Sequence, residues 1–157
     1  MPILTRLKEY LDANRVPYEL RSHVTAYTAR GVADVEHVPP IEVAKVVILR
    51  SGGEFLMAVL PALYRVDLTQ LRYLTGTPEL HLATENEFTK LFPQCEPGAM
   101  PPFGNLYDLP VWVDEPLCRQ REIVFNAGTH TQTVHMTYAD FARLVQPRVE
   151  SFGKPED

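Results

Sequence analysis

The chain has 157 residues, 45% of them hydrophobic, and a formal net charge of −5. A chain of this length typically buries roughly 70% of the surface that its unfolded form exposes, so we expect one domain with one substantial core. The negative charge argues against a general nucleic-acid binder, whose affinity comes mainly from neutralising phosphates, but leaves room for a local basic patch.

Simple patterns exclude further classes of protein. The longest uncharged apolar runs fall far short of the ~20 residues that a membrane span needs. Charged residues interrupt the segment 1–15, which is not the pattern of a signal peptide. Cys95 and Cys118 lie 23 positions apart, and we expect free thiols in a reducing cytoplasm rather than a disulfide. No Cys/His cluster has ligand spacing, so we expect no metal ion, and no cofactor is expected either.

The first part of the chain predicts two helices and a short strand. Apolar residues at helical spacing indicate a helix over 3–14, and a strand follows over 16–20. Thr28 is a suitable N-cap for a helix over 29–36. Two consecutive prolines then open a helical turn over 39–44, since proline suits the first turn of a helix.

The most apolar segment of the chain predicts a β-hairpin. Strands over 46–50 and 54–60 are joined by a Ser-Gly-Gly turn at 51–53. Both faces of the first strand are apolar, which is typical of a central strand that is covered on both sides.

The second half of the chain adds strands and helices around this hairpin. The predicted elements are a helix over 68–74 capped by Asp67, a strand over 79–83, a helix over 84–92, a long loop over 93–105, strands over 109–114, 122–128 and 132–136, and a last helix capped by Thr137. We therefore predict the α/β class, with a mixed, partly barrel-like sheet and surrounding helices in one domain over 1–147, and a polar tail over 148–157.

Lys45 is the first candidate functional residue, because it places an ammonium at the start of the most apolar segment. One interpretation is a lysine that buries its stem and keeps its head in water. Apolar neighbours on both sides leave it little solvent face, and a partly desolvated lysine without a partner is costly. A lysine that opens onto a pocket and faces an anionic or carbonyl-bearing ligand would resolve that cost.

The loop with the sequence GAMPPFG, 98–104, is the second candidate. Two prolines stiffen it, and its glycines allow a ligand to approach the backbone closely. The backbone N–H of Gly98 or Ala99 could donate to an oxyanion. The other interpretation is a rigid connector between two elements.

The segment FNAGTHTQTVHM, 125–136, contains His130 and His135, and single histidines in strands are more often structural. Asp114 ends the strand PVWVD and is most simply a turn residue. The sequence has no nucleophile elbow, phosphate loop or HExxH motif, so the usual marks of a covalent nucleophile or a metal hydrolase are missing.

Taken together, the motifs VAKVVIL, GAMPPFG, LPVWVD and FNAGTH…VHM resemble the YbaK/prolyl-tRNA-synthetase-associated editing-domain family in content and order, over residues 3–147. Members of that family are aminoacyl-tRNA deacylases, either fused to a synthetase or free-standing. The chain carries no synthetase segment. The resemblance therefore implies a cytoplasmic, trans-acting deacylase that contacts the acceptor end of mischarged tRNA, with a synthetase as a further partner and no membrane.

The resemblance also implies a set of site residues. Lys45 matches the essential lysine of the family, and Gly98 matches the first glycine of the substrate-binding loop. Asp114 and His135 resemble the Asp and His of synthetase-fused editing domains, and His135 would position the substrate or accept its α-amino group. We expect Lys45, Gly98 and His135 to converge on one cleft as the catalytic group. The expected substrate-binding residues are Ala99, Met100, Pro102, Asp114, Gly128 and His130.

The implied chemistry needs no strong nucleophile, because an aminoacyl ester is already activated. Positioning of water or of a substrate group, plus oxyanion stabilisation worth about 2.7–4 kcal/mol per donor, would suffice. Lys45 would then point at the substrate carbonyl or the terminal adenosine. The alternatives are a module of the same fold that binds aminoacyl-tRNA, a nucleotide or a protein without hydrolysis, and a structural or regulatory domain. The amino acid and the tRNA stay open.

Overall fold

The computed structural model describes residues 3–156, which contain ten strands, six α-helices and three short 3-10 helices. The strands are β1 (Glu19–Ser22), β2 (Ala44–Ser51), β3 (Glu54–Pro61), β4 (Tyr64–Val66), β5 (His81–Leu82), β6 (Val111–Asp114), β7 (Glu122–Asn126), β8 (Gln132–Thr137), β9 (Arg148–Glu150) and β10 (Gly153–Pro155). The helices are α1 (Ile3–Ala13), α2 (Ala29–Glu36), α3 (Leu68–Thr75), α4 (Glu85–Phe88), α5 (Glu115–Cys118) and α6 (Tyr138–Val145). The predicted domain and tail also include residues 1, 2 and 157, which lie outside the described residues.

The predicted hairpin forms the centre of the main sheet, whose strand order is β5-β2-β3-β6-β9. β2 and β3 are antiparallel, with Lys45 opposite Leu60, and β6 adds to β3 in parallel. Ile48 and Leu49 are both buried although they point to opposite faces of β2. A strand that is apolar on both faces can be stable only where both faces are covered, so the hairpin takes the middle of the sheet.

The predicted α/β class, with a mixed sheet and surrounding helices, is confirmed, but the sheet does not close into a barrel. Strands β1, β8 and β7 form a separate antiparallel sheet, and β10 pairs with β4 in a third. One isolated bridge, between Val43 and Val124, joins the end of the main sheet to β7. The main sheet keeps two edges, at β5 and β9, which strand patterns in the sequence cannot reveal.

Local hydrogen bonds set the helix starts where the sequence predicts them. The side chains of Thr28, Asp67 and Thr137 each accept a hydrogen bond from the backbone N–H three residues later. Such N-caps satisfy backbone donors that have no partner inside the helix. The predicted starts of α2, α3 and α6 are confirmed, and α2 matters most here because its first turn lies at the candidate site.

The long loop over 93–105 is held by the core. Phe103 is fully buried, with its ring centroid 5.6 Å from that of Phe125 and 5.4 Å from that of Phe141. Leu7 and Leu11 of α1 belong to the same cluster. The side chain of Phe103 therefore fixes one end of the loop that carries the GAM segment, residues 98–100.

The segment 148–157, which we predicted to be a polar tail, is folded onto the domain through residue 156. β9 extends the main sheet beside β6, and β10 pairs with β4. Between them, Phe152 is 1% exposed and packs in a cluster with Leu49, Leu71 and Trp112. The polar composition was misleading because one buried aromatic side chain and strand pairing are sufficient to anchor a short segment.

Cys95 and Cys118 are free and partly buried. Burial raises the pKa of each thiol above its ordinary value, which is the opposite of what a thiolate nucleophile needs. Within residues 3–156, no helix is long and apolar enough to cross a membrane. No group of three or more His, Cys, Asp or Glu side chains in the same range could hold a metal ion.

Candidate active site

One cavity of about 340 Å³ brings together Lys45, Gly98 and Met100, which are far apart in the sequence. Lys45 comes from the start of β2, and the other two come from the long loop. Further lining residues are Tyr27, Thr28, Arg30, Ala62, Asn126 and Glu156. The cavity is therefore built by the first turn of α2, the start of β2, the loop and the end of the described chain.

Lys45 lies at the wall of this cavity with its ammonium paired. Its side chain is 22% exposed, and Nζ lies 2.8 Å from Oε2 of Glu156, whose side chain is 40% exposed. The lysine is thus neither a free surface cation nor an unpaired buried one. The carboxylate partner offsets the cost of partial desolvation that the sequence pattern implied.

The GAM segment is fastened to the turn that follows β7. Gly98 and Gly128 both have positive φ angles, +85° and +97°, which a residue with a Cβ rarely adopts. The Gly128 N–H donates to the carbonyl of Ala99 at 2.9 Å, and the Gly128 carbonyl accepts from the N–H of Glu96 at 2.8 Å. The loop that contains Gly98 and the turn that contains Gly128 therefore lie next to each other, and a glycine with positive φ is present in each.

Of the two backbone amides that the sequence suggested as oxyanion donors, one is already used. The Ala99 N–H donates to the carbonyl of Glu96 at 3.0 Å, and Ala99 is fully buried. Within residues 3–156, the Gly98 N–H has no backbone acceptor. Met100 lines the cavity, whereas Ala99 and Pro102 are buried and are not among the lining residues.

His130 forms hydrogen bonds to the start of the loop that carries Gly98. Its Nε2 donates to the carbonyl of Pro97 at 2.8 Å, and its backbone N–H donates to Oε1 of Glu96 at 2.6 Å. The side chain is not among the residues that line the cavity, but its ring centroid is 5.0 Å from that of Tyr27 at the cavity wall. His130 is thus placed to hold the loop and the Tyr27 ring, and Tyr27 itself is 76% exposed.

The structure does not bring His135 to the cavity that Lys45 lines, so the expected convergence of the three catalytic residues is not found. His135 opens instead onto a separate cavity, together with Arg21. Its Nε2 donates to the buried carboxylate of Glu36 at 2.6 Å, and the Thr133 hydroxyl donates to the other oxygen of that carboxylate. β8 lies in the three-stranded sheet with β1 and β7 and does not pair with β2, the strand that carries Lys45.

Asp114 is likewise separate from the cavity, contrary to its expected place among the substrate-binding residues. The carboxylate is 1% exposed, and Oδ1 accepts hydrogen bonds from the backbone N–H groups of Phe152 and Gly153, both at 3.0 Å. A Cβ at residue 153 would collide with this carboxylate, which explains the glycine there. Asp114 therefore anchors the turn between β9 and β10, the segment that delivers Glu156 to the cavity.

The free energy of unfolding of Asp114→Asn is expected to rise relative to that of wild type as pH rises. Burial raises the pKa of the Asp114 carboxyl, although the backbone N–H groups around it oppose the shift. A carboxyl whose pKa is raised in the folded state contributes its full stability below the unfolded-state pKa of about 3.9, and this contribution is lost as pH rises from there through the folded-state pKa. The amide keeps an oxygen for the two N–H donors and never ionises.

The measurement is urea unfolding of Asp114→Asn and wild type between pH 3 and pH 7. Asp34→Asn, which replaces an exposed aspartate, is the control for the aspartate-to-asparagine substitution itself. Parallel curves for Asp114→Asn and wild type would contradict the assignment. Asp114→Ala, which leaves two N–H groups without an acceptor, should lower the free energy of unfolding by about 1–3 kcal/mol.

Several residues that line the cavity were not among the site residues predicted from the sequence. Asn126 could have been found, because it directly precedes the Ala-Gly turn that ends at Gly128. Its Oδ1 is buried and finds no hydrogen-bond partner within residues 3–156. Tyr27 and Arg30 lie close to Thr28, the predicted N-cap of α2, and this position alone only weakly indicates a functional role. Glu156 had no signal at all, since it belongs to a segment that was predicted to be a tail.

The charged side chains of the cavity are Lys45, Arg30 and Glu156, which contact one another. Lys45, with smaller effects from Arg30 and Arg65, holds the pKa of the Glu156 carboxyl below its usual range. Arg30 also donates from Nη2 to the backbone carbonyl of Glu156 at 3.2 Å. The site therefore presents two cations and one ionised carboxylate at neutral pH, within a protein whose overall charge is negative.

The sequence and the fold match those of a known class of editing domain. Residues 23–144 match the family described as the aminoacyl-tRNA editing domain, and the chain belongs to this family. The resemblance inferred from the sequence motifs is confirmed, as is the class of function, aminoacyl-tRNA editing by deacylation.

Relatives of the chain include free-standing and fused proteins. The chain is 29% identical over 155 residues to the multifunctional Ser/Thr-tRNA deacylase ProXp-y of Escherichia coli strain K12, covering 95% of this chain and 92% of the relative. It is 25% identical over 127 residues to a proline–tRNA ligase of Staphylococcus saprophyticus, covering 81% of this chain and 21% of the ligase.

Solved structures share the fold. The crystal structure of a proposed trans-editing enzyme for prolyl tRNA synthetase superposes with a TM-score of 0.83 at 22% identity, covering 98% of both chains. A hypothetical protein of known structure reaches a TM-score of 0.85 at 19% identity, covering 95% of this chain and 99% of that one. At these identities the likeness shows the fold alone, and this fold is the mixed α/β arrangement with surrounding helices.

Proposed function

We propose that this protein hydrolyses, in trans, the ester bond of tRNA mischarged with a small amino acid that carries a hydroxyl group. The observation that carries the proposal is the single cavity that contains the Lys45 ammonium, the Gly98 backbone and the partnerless Oδ1 of Asn126. The similarity to a Ser/Thr-tRNA deacylase over nearly the whole chain supports the same assignment.

The reaction needs water, an oriented ester and charge stabilisation. Water attacks the ester carbonyl carbon, and negative charge develops on the carbonyl oxygen. The Lys45 ammonium and the Gly98 N–H stabilise that oxyanion in a partly water-excluded cavity, where such interactions are stronger than in water. The bond to the ribose oxygen then breaks, and this oxygen takes the proton that the attacking water gives up, releasing the free amino acid and tRNA.

The cavity and its surroundings suit the acceptor end of tRNA. A volume of about 340 Å³ falls in the usual range of small-molecule pockets and accommodates an aminoacyl group with part of the terminal nucleoside. The exposed ring of Tyr27 offers a stacking surface for a base, and Arg30 offers a cation for the phosphate backbone. A local contact of this kind is compatible with the net charge of −5.

Asn126 provides the basis for side-chain selection. Its buried Oδ1 would accept a hydrogen bond from a substrate hydroxyl, as in a seryl or threonyl group. A substrate without the hydroxyl leaves that oxygen unsatisfied, which costs about 1–3 kcal/mol. Sites that are built to bind a hydroxyl reject analogues that lack it more strongly than apolar pockets discriminate by size.

The test of the function is deacylation of a panel of mischarged tRNAs under single-turnover conditions. We expect release of serine or threonine from tRNA and slower release of alanine or valine. If no member of the panel is hydrolysed although aminoacyl-tRNA binds, the protein is a non-hydrolytic binding module of the same fold.

Asn126→Ala is expected to lower kcat/KM for seryl-tRNA by about 10-fold or more, because the hydrogen bond to the hydroxyl is lost. For alanyl-tRNA the same variant should change kcat/KM far less, so the preference between the two substrates should collapse. The control is Asn14→Ala, which removes an exposed amide at the end of α1. Equal losses on both substrates would show that Asn126 only supports the loop.

We further propose that the protein acts in the cytoplasm on tRNA that a synthetase has mischarged. The two free, partly buried thiols support a reducing compartment. The similarity to a segment of a proline–tRNA ligase supports a link to a synthetase that makes the error.

A further inference from the structure

Glu156 places a carboxylate in the candidate active site from outside the family match. The matched region ends at residue 144, whereas Glu156 lies twelve positions beyond it and still lines the cavity. Its Oε2 accepts a hydrogen bond from the Lys45 ammonium at 2.8 Å. It is the only acidic residue among the described residues that line the cavity.

The segment that carries Glu156 is fixed to the domain at several points. The backbone N–H of Glu156 donates to the carbonyl of Leu63 at 3.0 Å, and its carbonyl accepts from Arg30 at 3.2 Å. Upstream, β10 is paired with β4, Phe152 is buried, and Asp114 accepts two hydrogen bonds from the preceding turn. These contacts fix the segment in place, so that it forms a permanent part of the cavity wall.

The substrate of the proposed reaction carries a positive charge next to the ester that is cleaved. An aminoacyl group attached to tRNA keeps its α-amino group, which is an ammonium below a pH of about 7.7. Lys45 and Arg30 alone would repel that ammonium at short range. A carboxylate at the same wall removes the repulsion and supplies an acceptor.

We propose that Glu156 is a specificity-determining residue that binds the α-ammonium of the aminoacyl group while it holds Lys45. In this arrangement Oε2 stays on Lys45, and the other oxygen, on a side chain that is 40% exposed, receives the substrate ammonium. The inference rests on the proposed deacylase function and deepens it. It also assigns to Glu156 the α-amino contact for which the sequence offered His135, a residue that does not line this cavity.

Binding by Glu156 would provide a selection between substrates that Lys45 and Gly98 cannot make. These two groups recognise only the developing oxyanion, which every acyl ester forms. The carboxylate adds a preference for a free α-ammonium over an acyl group whose nitrogen is blocked or replaced. A hydrogen bond to a charged group is typically worth enough to give about a 10-fold preference or more.

The test compares two substrates on three proteins at pH 6, where the α-amino group is charged. The substrates are seryl-tRNA and the same tRNA carrying an acyl group with an α-hydroxyl in place of the α-ammonium. The proteins are wild type, Glu156→Gln and the control Glu54→Gln, which removes an exposed glutamate at the far end of the β2–β3 hairpin. Glutamine can still accept the Lys45 hydrogen bond, so Lys45 should keep its place.

The readout is the ratio of kcat/KM for the ammonium substrate to kcat/KM for the hydroxyl substrate. Wild type and Glu54→Gln should prefer the ammonium substrate by about 10-fold or more, and Glu156→Gln should lose that preference. An unchanged ratio in Glu156→Gln, with or without equal losses on both substrates, would overturn the inference. So would faster hydrolysis of both substrates, which would mean that the carboxylate only blocks Lys45.

The experiment distinguishes failure of the proposed deacylase function from failure of the Glu156 inference alone. If wild type hydrolysed neither of these substrates nor any other mischarged tRNA, the deacylase proposal and the Glu156 inference would both fall. In every other overturning outcome wild type still hydrolyses ester substrates, so the proposed function stands and only the role of Glu156 is lost.

Discussion

Lys45→Ala is expected to lower kcat/KM for hydrolysis of mischarged tRNA by about 100- to 1,000-fold while the fold stays intact. The size follows from the loss of one charged donor to a developing oxyanion in a partly water-excluded site. The stability effect should be small, because the Lys45–Glu156 pair is partly exposed and such pairs contribute about 0–1 kcal/mol. Lys45→Arg should also be impaired, since a planar guanidinium does not replace a compact ammonium.

The decisive measurement for Lys45 is single-turnover hydrolysis of a tRNA that wild type deacylates, with thermal unfolding measured in parallel. Lys90→Ala serves as the control because it removes an exposed lysine that does not line the cavity. A Lys45→Ala variant that retains nearly the wild-type rate would mean that the lysine is a surface residue and that the site is wrongly assigned.

Gly98→Ala is the second change with a large expected effect, about a 100-fold loss of kcat. Gly98 has a φ of +85°, and an added Cβ would meet only His130, at an ordinary distance of 3.7 Å. The strain is therefore in the backbone, where a non-glycine residue at positive φ costs roughly 1–2 kcal/mol. The loop should relax by moving the Gly98 N–H and Met100, and displacements of about 1 Å in an active site can reduce rates 100-fold.

Gly76→Ala separates loop geometry from stability. Gly76 has a φ of +66° at the C-cap of α3, and an added Cβ there would meet nothing within 4 Å. Both variants should lose similar amounts of free energy of unfolding, but only Gly98→Ala should lose activity. If hydrolysis is equally fast in the two variants, the Gly98 loop does not position the reacting ester.

The sequence was sufficient for those features that short-range physics controls. The three N-caps at Thr28, Asp67 and Thr137 depend on hydrogen bonds that reach three residues along the chain. The central hairpin follows from a turn of two glycines between two strands that are apolar on both faces. Lys45 was recognisable for the same reason, because an ammonium in an apolar strand needs a partner wherever the strand lies.

The order of the motifs in the sequence also determined the family. Membership in the family did not, however, determine which of the matched residues line the cavity. The motifs identified Lys45 and Gly98, which line one cavity. The same motifs offered Asp114 and His135, whose side chains are engaged elsewhere, by the turn after β9 and by Glu36. A matching residue type at a matching position does not fix where the side chain points.

Only the tertiary structure decided which distant side chains meet. Glu156 lies 111 positions from Lys45, and Glu36 lies 99 positions from His135, yet each pair is joined by a hydrogen bond. Such contacts depend on strand order and on where the main sheet stops, and neither leaves a periodic signal in the chain. The sequence by itself determined most of the elements, although not β4, α5, β9 or β10, and it determined the class of chemistry and the central lysine. The carboxylate that faces this lysine, and the open edges of the sheet, were set by long-range packing.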